Sequence, residues 1–339
     1  MIRALAPLIA LSILVSAPAS IAQDTPPPVA NNNAALTYWQ IWDTLDANLV
    51  EVATLVEPDE TYEPGRPVTD ALLQLQPDIR ALMAAANNPH CDWQIDYDAG
   101  FDAVLPHLSK MRTTARLFRE DARRLSAAVD TGEVVQRVVA IFNLAEQTAG
   151  DRVIISPLVG MAIAALATTE TDALIAAGDL TADQRDQILA TMAVIDQHDP
   201  FALADAIAHE RDMMTTWVKR EFTGDGARDI TTLLGGQAPD DLIADLTDLA
   251  DEDLIKAVDD AATAYDATLA VWFDHDADEK LNDINLAVQN DEYGPIARVI
   301  TPALTNLREA SLKTINVLES TRNRLKQLTF ENTDPDSDG

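Results

Sequence analysis

The chain has 339 residues, of which 56 are acidic, 24 are basic and one is a cysteine. A formal net charge of −32 disfavours nucleic acids and anionic membrane surfaces as partners, because both repel an acidic protein. A single cysteine excludes an intramolecular disulfide. Stability must therefore come from an apolar core, which a chain of this length can bury.

The first 22 residues have the pattern of a cleavable signal peptide. Arg3 is followed by an uncharged apolar stretch at residues 4–15, and small residues then lead to a cleavage site after Ala22. The stretch is shorter than the roughly 20 residues needed to cross a bilayer. A lipid anchor is disfavoured because no cysteine lies beside the cleavage site. We therefore expect an exported protein, periplasmic or secreted, with no transmembrane segment once the signal is removed.

Helical periodicity dominates the sequence after a polar, proline-rich leader at residues 23–34. Apolar residues spaced three and four apart at residues 104–129 line one face of a helix, and residues 133–148 form the next helix. Gly132 is placed to supply a left-handed residue in the turn between them. The sequence predicts an all-α protein of antiparallel helical hairpins, arranged as a bundle or a short solenoid-like array.

Local signals place three more helices between residues 156 and 222. One covers residues 156–177 and stops at Gly178. The next begins at Thr181, where Gln184 three residues later completes a capping box. A third begins at Asp199-Pro200 and reaches about residue 222.

A glycine-rich segment at residues 223–239 is the predicted linker between two helical regions, 35–222 and 240–330. The helices predicted in the second region cover residues 240–250, 252–273, 276–289 and 302–328. The acidic tail at 331–339 is predicted to be disordered.

Paired helices invite comparison with tetratricopeptide repeats, and the comparison fails. When Gly132 is placed at the inter-helix glycine of that motif, three large residues occupy positions that need small ones. These residues are Leu125, Arg137 and Leu144. The predicted hairpins are therefore not tetratricopeptide repeats.

A short pattern in the middle of the chain resembles an uncharacterised family of exported bacterial proteins. The pattern consists of Cys91-Asp92-Trp93, Leu105-Pro106-His107-Leu108, Arg112, Arg116 and the turn that contains Gly132. The resemblance covers about residues 88–220. It implies export and helical hairpins, and it implies no activity, because it includes no catalytic motif.

Basic residues are concentrated on one predicted helix, with six of them between residues 110 and 124. Four are spaced four, three and four apart and so form an arginine stripe: Arg112, Arg116, Arg119 and Arg123. They could pair with acids on neighbouring helices, or bind an anionic ligand or an acidic segment of a protein partner. Reversing Arg116 and Arg119 to Glu distinguishes these readings, because only the second loses binding while keeping its helices.

Acidic residues are concentrated later in the chain, where residues 225–292 carry 19 acids and three bases. Three carboxylates at alternate positions resemble the start of an EF-hand calcium loop: Asp274, Asp276 and Asp278. Glu279 stands where the loop needs glycine, and Asn285 stands where a bidentate Glu would close the site. A second acidic start, at residues 334–339, ends with the chain. The pattern is more typical of weak cation binding than of a true calcium site.

The sequence contains no complete catalytic motif and predicts no cofactor. His209-Glu210 begins a zinc-helix signature, but Met213 stands at the position of the second histidine. Cys91 is interpreted as a buried small apolar residue, with an intermolecular disulfide or a reactive thiol as alternatives. Trp39 and Trp42 share one helical face, which indicates core packing, with a sugar-binding platform as the alternative.

These observations favour a non-enzymatic exported binding or scaffold protein with a protein partner or an anionic ligand. The first alternative is an exported, hydrolase-like enzyme whose site assembles from His107, Cys91 and the arginine stripe. The second is a weak calcium- or cation-binding protein at Asp274, Asp276 and Asp278.

Overall fold

The computed structural model describes residues 33–56, 66–195, 198–224, 246 and 249–328. Every regular element within these ranges is a helix, which confirms the predicted all-α class. Several predicted features lie outside the described residues: the signal peptide, most of the leader, most of the 223–239 linker, nearly all of the helix at 240–250, and the acidic tail with its second acidic motif.

Eleven α-helices are described, and two short 3₁₀ segments lie between them. The helices are α1 (Ala34–Val56), α2 (Arg66–Gln74), α3 (Gln76–Ala86), α4 (Pro106–Ala127), α5 (Thr131–Ala149), α6 (Ile155–Ala177), α7 (Ala182–Val194), α8 (Leu203–Glu221), α9 (Asp251–Ala270), α10 (Ala277–Gln289) and α11 (Gly294–Gln327). The 3₁₀ segments are Tyr97–Asp102 and Pro200–Ala202.

The centre of the core is formed by α4, α5 and α6, which pack side by side. The predicted apolar stripe of α4 is buried from Leu108 to Leu125. At Gly160 on α6 the two neighbouring helices approach closely, because an added Cβ would lie 2.8 Å from the carbonyl oxygen of Ala145 and 3.0 Å from the Cβ of Ala149. Small residues at this crossing therefore set the distance between α5 and α6.

Helix α6 is long and apolar enough, by length and composition, to cross a membrane, with a mean hydropathy of 1.4. It is the one described helix that meets this criterion, and 56% of the relevant window is buried inside the protein. Its Glu170 contacts Arg123 on α4, and its Asp172 contacts Arg324 on α11. These contacts are those of a core helix, a class that passes the same test.

The turn between α4 and α5 differs from the prediction. The Val129 N–H donates to the Ser126 carbonyl at 3.0 Å and the Asp130 N–H donates to the Leu125 carbonyl at 3.1 Å, which together form a Schellman motif. The left-handed residue of this motif is Val129, with φ +60°, whereas Gly132 lies inside the first turn of α5. The prediction for Gly132 was wrong because Asp130 already serves as the N-cap of α5.

Replacing Val129 with glycine is expected to raise the free energy of unfolding by about 1 kcal/mol. A β-branched residue is strained at positive φ, and glycine removes that strain. Val129 is 80% exposed, so little packing is lost. Urea unfolding of Val129→Gly, compared with Val104→Gly, measures the effect. Val104 is 76% exposed and has no positive φ, so its replacement should only destabilise. Equal destabilisation by both changes would contradict the strain at Val129.

Other predicted helix ends agree with the structure. Gly178 ends α6 in the left-handed conformation, with φ +77°. Thr181 and Gln184 form both hydrogen bonds of the predicted capping box, at 3.3 and 2.9 Å. Asp199 accepts the N–H of Ala204 at 3.1 Å, although the 3₁₀ segment precedes α8 there.

The final helix, α11, begins eight residues before the predicted start, at Gly294, with Pro295 in its first turn. It packs on α9 and α10 and then continues across α6 and α7. Near its end, Arg322 donates to the carbonyl oxygens of Met192 and Ile195, the latter at 3.0 Å, and so satisfies the C-terminal end of α7. One apolar cluster consequently contains residues from both sides of the 223–239 segment.

Candidate functional site

The arginine stripe lies on α4, and two of its members bind carboxylates of this protein. Arg119 is 7% exposed and donates from Nε and Nη2 to Oε1 of Glu120, at 2.9 and 2.7 Å. Arg123 donates from Nε to Oε1 of Glu170 on α6 at 3.0 Å. Arg112 and Arg116 are half-buried on the same helix. The stripe therefore includes ion pairs within α4 and between α4 and α6.

A second polar network surrounds Asp121, which is fully buried one position beyond Glu120. Its Oδ2 accepts from Nε of Arg137 on α5 at 2.9 Å. Its Oδ1 accepts from Nε of Arg124 and from Nε2 of Gln76, both at 2.8 Å. One carboxylate thus joins α3, α4 and α5. Sequence reasoning missed this role for Asp121 and Arg137, because the two residues belong to different helices.

Trp42 of α1 is part of the core, as predicted, and Trp39 is partly buried against it. The rings of Tyr38 and Trp42 stack on Trp93 with centroid distances of 5.8 Å each. The Trp42 indole N–H donates to Oγ1 of Thr114 at 3.1 Å. Trp42 is 1% exposed, so its ring offers no open surface to a sugar.

His107, a candidate of the enzyme hypothesis, lies beneath Trp93 with a ring-centroid distance of 4.4 Å. Its Nε2 is 2.7 Å from Oδ2 of Asp151, and the Ser156 hydroxyl donates to that same oxygen at 3.2 Å. All three side chains are at least 94% buried. The imidazole and the hydroxyl both bind the Asp151 carboxylate, which lies between them. The imidazole therefore does not activate the serine as a base would. The arrangement fixes the start of α6 against α4.

Cys91, the other candidate of the enzyme hypothesis, is half-buried on the segment before Trp93. Burial, with the nearby carboxylates of Asp151 and Asp92, raises the pKa of its thiol to about 12. A thiol with this pKa is protonated at neutral pH and is a poor nucleophile. The structure thus places Cys91 and His107 near the same carboxylate, Asp151, but activates neither for catalysis.

The three alternating aspartates at the start of α10 all have cationic partners. The Lys280 Nζ lies 2.6 Å from Oδ2 of Asp274 and 3.0 Å from Oδ1 of Asp276. Asp278 pairs with Arg308 of α11. Among the residues the structure describes, no group of three or more His, Cys, Asp or Glu side chains is arranged to hold a metal ion.

A strongly acidic surface is formed by α9, α10 and the turn that follows. Residues 249–294 contain thirteen acids and two lysines, a net charge of −11. Five exposed acids in this stretch make no ion pair within the described part of the chain. We call them the acidic surface, and they are Glu252, Asp253, Glu279, Asp283 and Glu292.

Two neighbouring concavities lie on the same elements as the acidic surface, and the first includes Asp253 in its wall. One, of about 420 Å³, lies between α9 and the start of α11 and is lined by Asp253, Lys256 and Asp260 among others. The second, of about 400 Å³, borders α10. Both include Asp291 and Arg298 in their walls, so they form one groove.

Comparisons of the chain with family models, with curated proteins and with solved structures found no match.

Glu210 on α8 is a titratable group that the sequence did not single out. One oxygen of its carboxylate accepts the Ile154 N–H, at the start of α6, at 2.9 Å. Burial raises the pKa of Glu210 from 4.5 to about 7, and the hydrogen bond only partly offsets this. The pKa of the buried Tyr265 on α9 is also raised, mainly by burial and then by Glu210. Glu210 therefore loses its proton near neutral pH at the contact of three helices.

Replacing Glu210 with glutamine is expected to stabilise the protein above pH 7 by about 2 kcal/mol. A folded-state pKa above the unfolded one means that the stability is complete below pH 4.5 and is lost as the pH rises through about 7. At about 1.4 kcal/mol per pH unit the loss is at most about 3 kcal/mol, and partial exposure reduces it. Glutamine avoids the buried charge and still accepts the Ile154 N–H.

Urea unfolding of wild type and Glu210→Gln at several values between pH 4 and pH 8.5 measures this difference. Glu279→Gln, at an exposed position on α10, is the control and should show no such pH dependence. A constant difference between Glu210→Gln and wild type across this range would contradict the assignment.

Proposed function

We propose that this chain is an exported, non-enzymatic binding or scaffold protein that binds a protein partner through the face formed by α9, α10 and the start of α11. The observation that carries the proposal is the groove, whose two concavities both include Asp291 and Arg298. Its wall also includes Asp253, one of five exposed carboxylates on these elements that make no ion pair within the described residues. A concave site with apolar and charged walls is a common form of binding site in proteins.

The environments of the candidate catalytic side chains favour this proposal over the hydrolase alternative. His107 is 1% exposed and bound to Asp151, and the pKa of Cys91 keeps the thiol protonated. Arg119 and Arg123 are bound to carboxylates of the same protein. A substrate would have to displace these partners before it could reach any of the four side chains.

Export is supported by the signal-peptide pattern of residues 1–22 and by the resemblance of residues 88–220 to exported helical proteins. The acidic composition suits a surface exposed to a cation-rich medium. Cation binding at Asp274, Asp276 and Asp278 is less favoured, because Lys280 and Arg308 already neutralise these carboxylates.

Site-specific photo-crosslinking in a periplasmic extract of the source organism tests the proposal. A photoreactive phenylalanine analogue at Gln289, in the wall of the groove, is compared with the same analogue at Ser126, an exposed position at the end of α4. A defined protein adduct at Gln289 and not at Ser126 is the expected result. Equal adducts at both positions, or none at any salt concentration, would overturn the proposal.

A further inference from the structure

We infer that the groove of α9, α10 and α11 takes a basic polypeptide segment of the partner, one rich in lysine or arginine. This inference rests on the proposed function and names the chemistry of what occupies the site. It follows from the shape of the groove, from its apolar floor and from its charge.

The groove has room for more than one side chain. Its two concavities, of about 420 and 400 Å³, meet at Asp291 and Arg298. Both are open to solvent, unlike the enclosed pockets that bury most of a small ligand. Two such compartments in a row suit successive side chains of an extended or helical segment better than one compact small molecule.

The floor of the groove is apolar. Ala257 of α9 and Val288 of α10 are buried beneath it, and Leu249 and Pro295 are partly exposed in its wall. Lysine and arginine have long methylene stems that lie along apolar surface while the charged head reaches a polar rim. The floor therefore contributes to binding these residues beyond the attraction of charge alone.

The charge of the rim selects a cation. The two basic residues in the groove are already engaged, because Arg298 binds Asp291 at 2.8 Å and Lys256 binds Asp260. Asp253 makes no ion pair within the described residues. The groove walls contain three aspartates against Lys256 and Arg298, and residues 249–298 as a whole carry a net charge of −10. An anionic ligand would meet repulsion from this field, whereas a basic segment gains both speed and selectivity of association from it.

Two residues in the wall of the groove, Asp291 and Gly294, have positive φ. Asp291 adopts a left-handed conformation, with φ +64°, just after α10. At Gly294, with φ +71°, an added Cβ would lie 3.4 Å from Oδ2 of Asp260. The start of α11 thus lies in van der Waals contact with α9 at Gly294, which is part of the groove wall.

Binding of defined fluorescent peptides to the full mature chain tests the inference. The probes are a twelve-residue peptide of alternating lysine and alanine, and its counterpart of alternating glutamate and alanine, measured by anisotropy at low and at physiological salt. We expect saturable binding of the lysine peptide and no binding of the glutamate peptide. The variant Asp253→Asn/Asp291→Asn removes two carboxylates from the groove and should weaken lysine-peptide binding at least tenfold.

The matched control is Asp179→Asn/Asp183→Asn, which removes the same charge from exposed positions before and at the start of α7, outside both the groove and the acidic surface. This variant should weaken binding no more than about threefold, and circular dichroism verifies that both variants are folded. Equal weakening by the two variants would overturn the inference, because it would show attraction to the overall charge. Calcium chloride that displaces the peptide at equal ionic strength, with the same dependence on Asp253 and Asp291, would also overturn it in favour of a cation site.

The two proposals fail in different ways. If Gln289 crosslinks a partner but the groove shows no preference for the lysine peptide, the proposed function stands and the basic occupant is wrong. If the lysine peptide does not distinguish the groove variant from its control and Gln289 gives no adduct, both are wrong.

Discussion

Replacing Asp121 with leucine is expected to lower the free energy of unfolding by about 3–5 kcal/mol, because the buried Arg137 and the half-buried Arg124 then lose the carboxylate they share. Asp121 is fully buried, and the side chains of Arg137 and Arg124 are 3% and 14% exposed. The lost favourable contacts include the hydrogen bond from Gln76 at 2.8 Å. An uncompensated charge in this interior is costly, whereas the intact network is nearly satisfied by its own members.

The double variant Asp121→Leu/Arg137→Met separates the lost pair from the lost packing. Removing both charges is expected to cost much less than the sum of the two single changes, with a coupling of about 1–3 kcal/mol. The measurement is urea unfolding followed by far-ultraviolet circular dichroism. Arg211→Met is the control, since Arg211 forms its ion pairs with the exposed Asp212 and Asp266 and should contribute less than about 1 kcal/mol. A cost for Asp121→Leu no larger than the control would contradict the network's role.

For the arginine stripe, the sequence predicted the helix but not the partners of the arginines. The spacing of Arg112 to Arg123 placed four guanidinium groups along one helix, and α4 confirms that helix. The partner of Arg123 could not be predicted, because Glu170 is 47 positions away on a helix whose rotation was not known. The same is true of His107 and Asp151, which are 44 positions apart. Ion pairs between helices depend on packing angles that single-helix periodicity does not contain.

Helix ends show the same division between local and distant causes. The capping box of Thr181 was predicted because both of its hydrogen bonds lie within four residues. The left-handed residue after α4 was misplaced because the length of α4 and the N-cap at Asp130 leave Val129 in that position, although glycine stands nearby. The start of α11 was predicted too late, since two prolines each suit a first turn and packing on α9 favours the earlier one.

The candidate groove could be predicted only in its chemistry. The excess of acids in residues 225–292 was evident from the sequence, but it was interpreted as weak cation binding, and the candidate binding site was placed on the arginine stripe. The concavity itself needs α9, α10 and the start of α11 in contact, and Asp253 and Asp291 are 38 positions apart in the same wall. The alternating Asp274, Asp276 and Asp278 drew attention as a motif, but the side chains that line the groove follow no motif.

Replacing Gly100 with alanine is expected to lower the free energy of unfolding by about 3–4 kcal/mol. Gly100 has φ +57° and ψ −130°, a conformation that residues with a Cβ rarely adopt. An added Cβ would lie 2.1 Å from Cγ and 2.3 Å from Cδ1 of Trp217, which is 2% exposed on α8. Overpacking of this kind typically costs about 1–3 kcal/mol, and the backbone strain adds about 1–2 kcal/mol.

Trp217 has little room to move away, because it packs on Phe222 with a ring-centroid distance of 5.3 Å. The 3₁₀ segment is also held to α8 by Arg220, whose Nη2 donates to the Asp98 carbonyl at 2.7 Å. The clash should therefore separate this segment from α8. A double-mutant cycle identifies it, because Trp217→Ala should cost less in the Gly100→Ala background than in the wild type.

Gly132→Ala is the matched control for Gly100→Ala. Gly132 is helical, and an added Cβ would meet its nearest atom at 3.7 Å, so alanine there should stabilise by about 0.5–1 kcal/mol through helix propensity. Urea unfolding of the two variants should thus give changes of opposite sign from the same chemical substitution. If Gly100→Ala stays within 1 kcal/mol of wild type, or if the Trp217 cycle shows no coupling, the close approach of the 3₁₀ segment to α8 is wrong. The position of α8 matters for function because α8 packs along α9, where Lys219 pairs with Asp259 and Arg211 with Asp266. A variant that separates α8 from the 3₁₀ segment should therefore also weaken lysine-peptide binding at the groove, whereas Gly132→Ala should leave that binding unchanged.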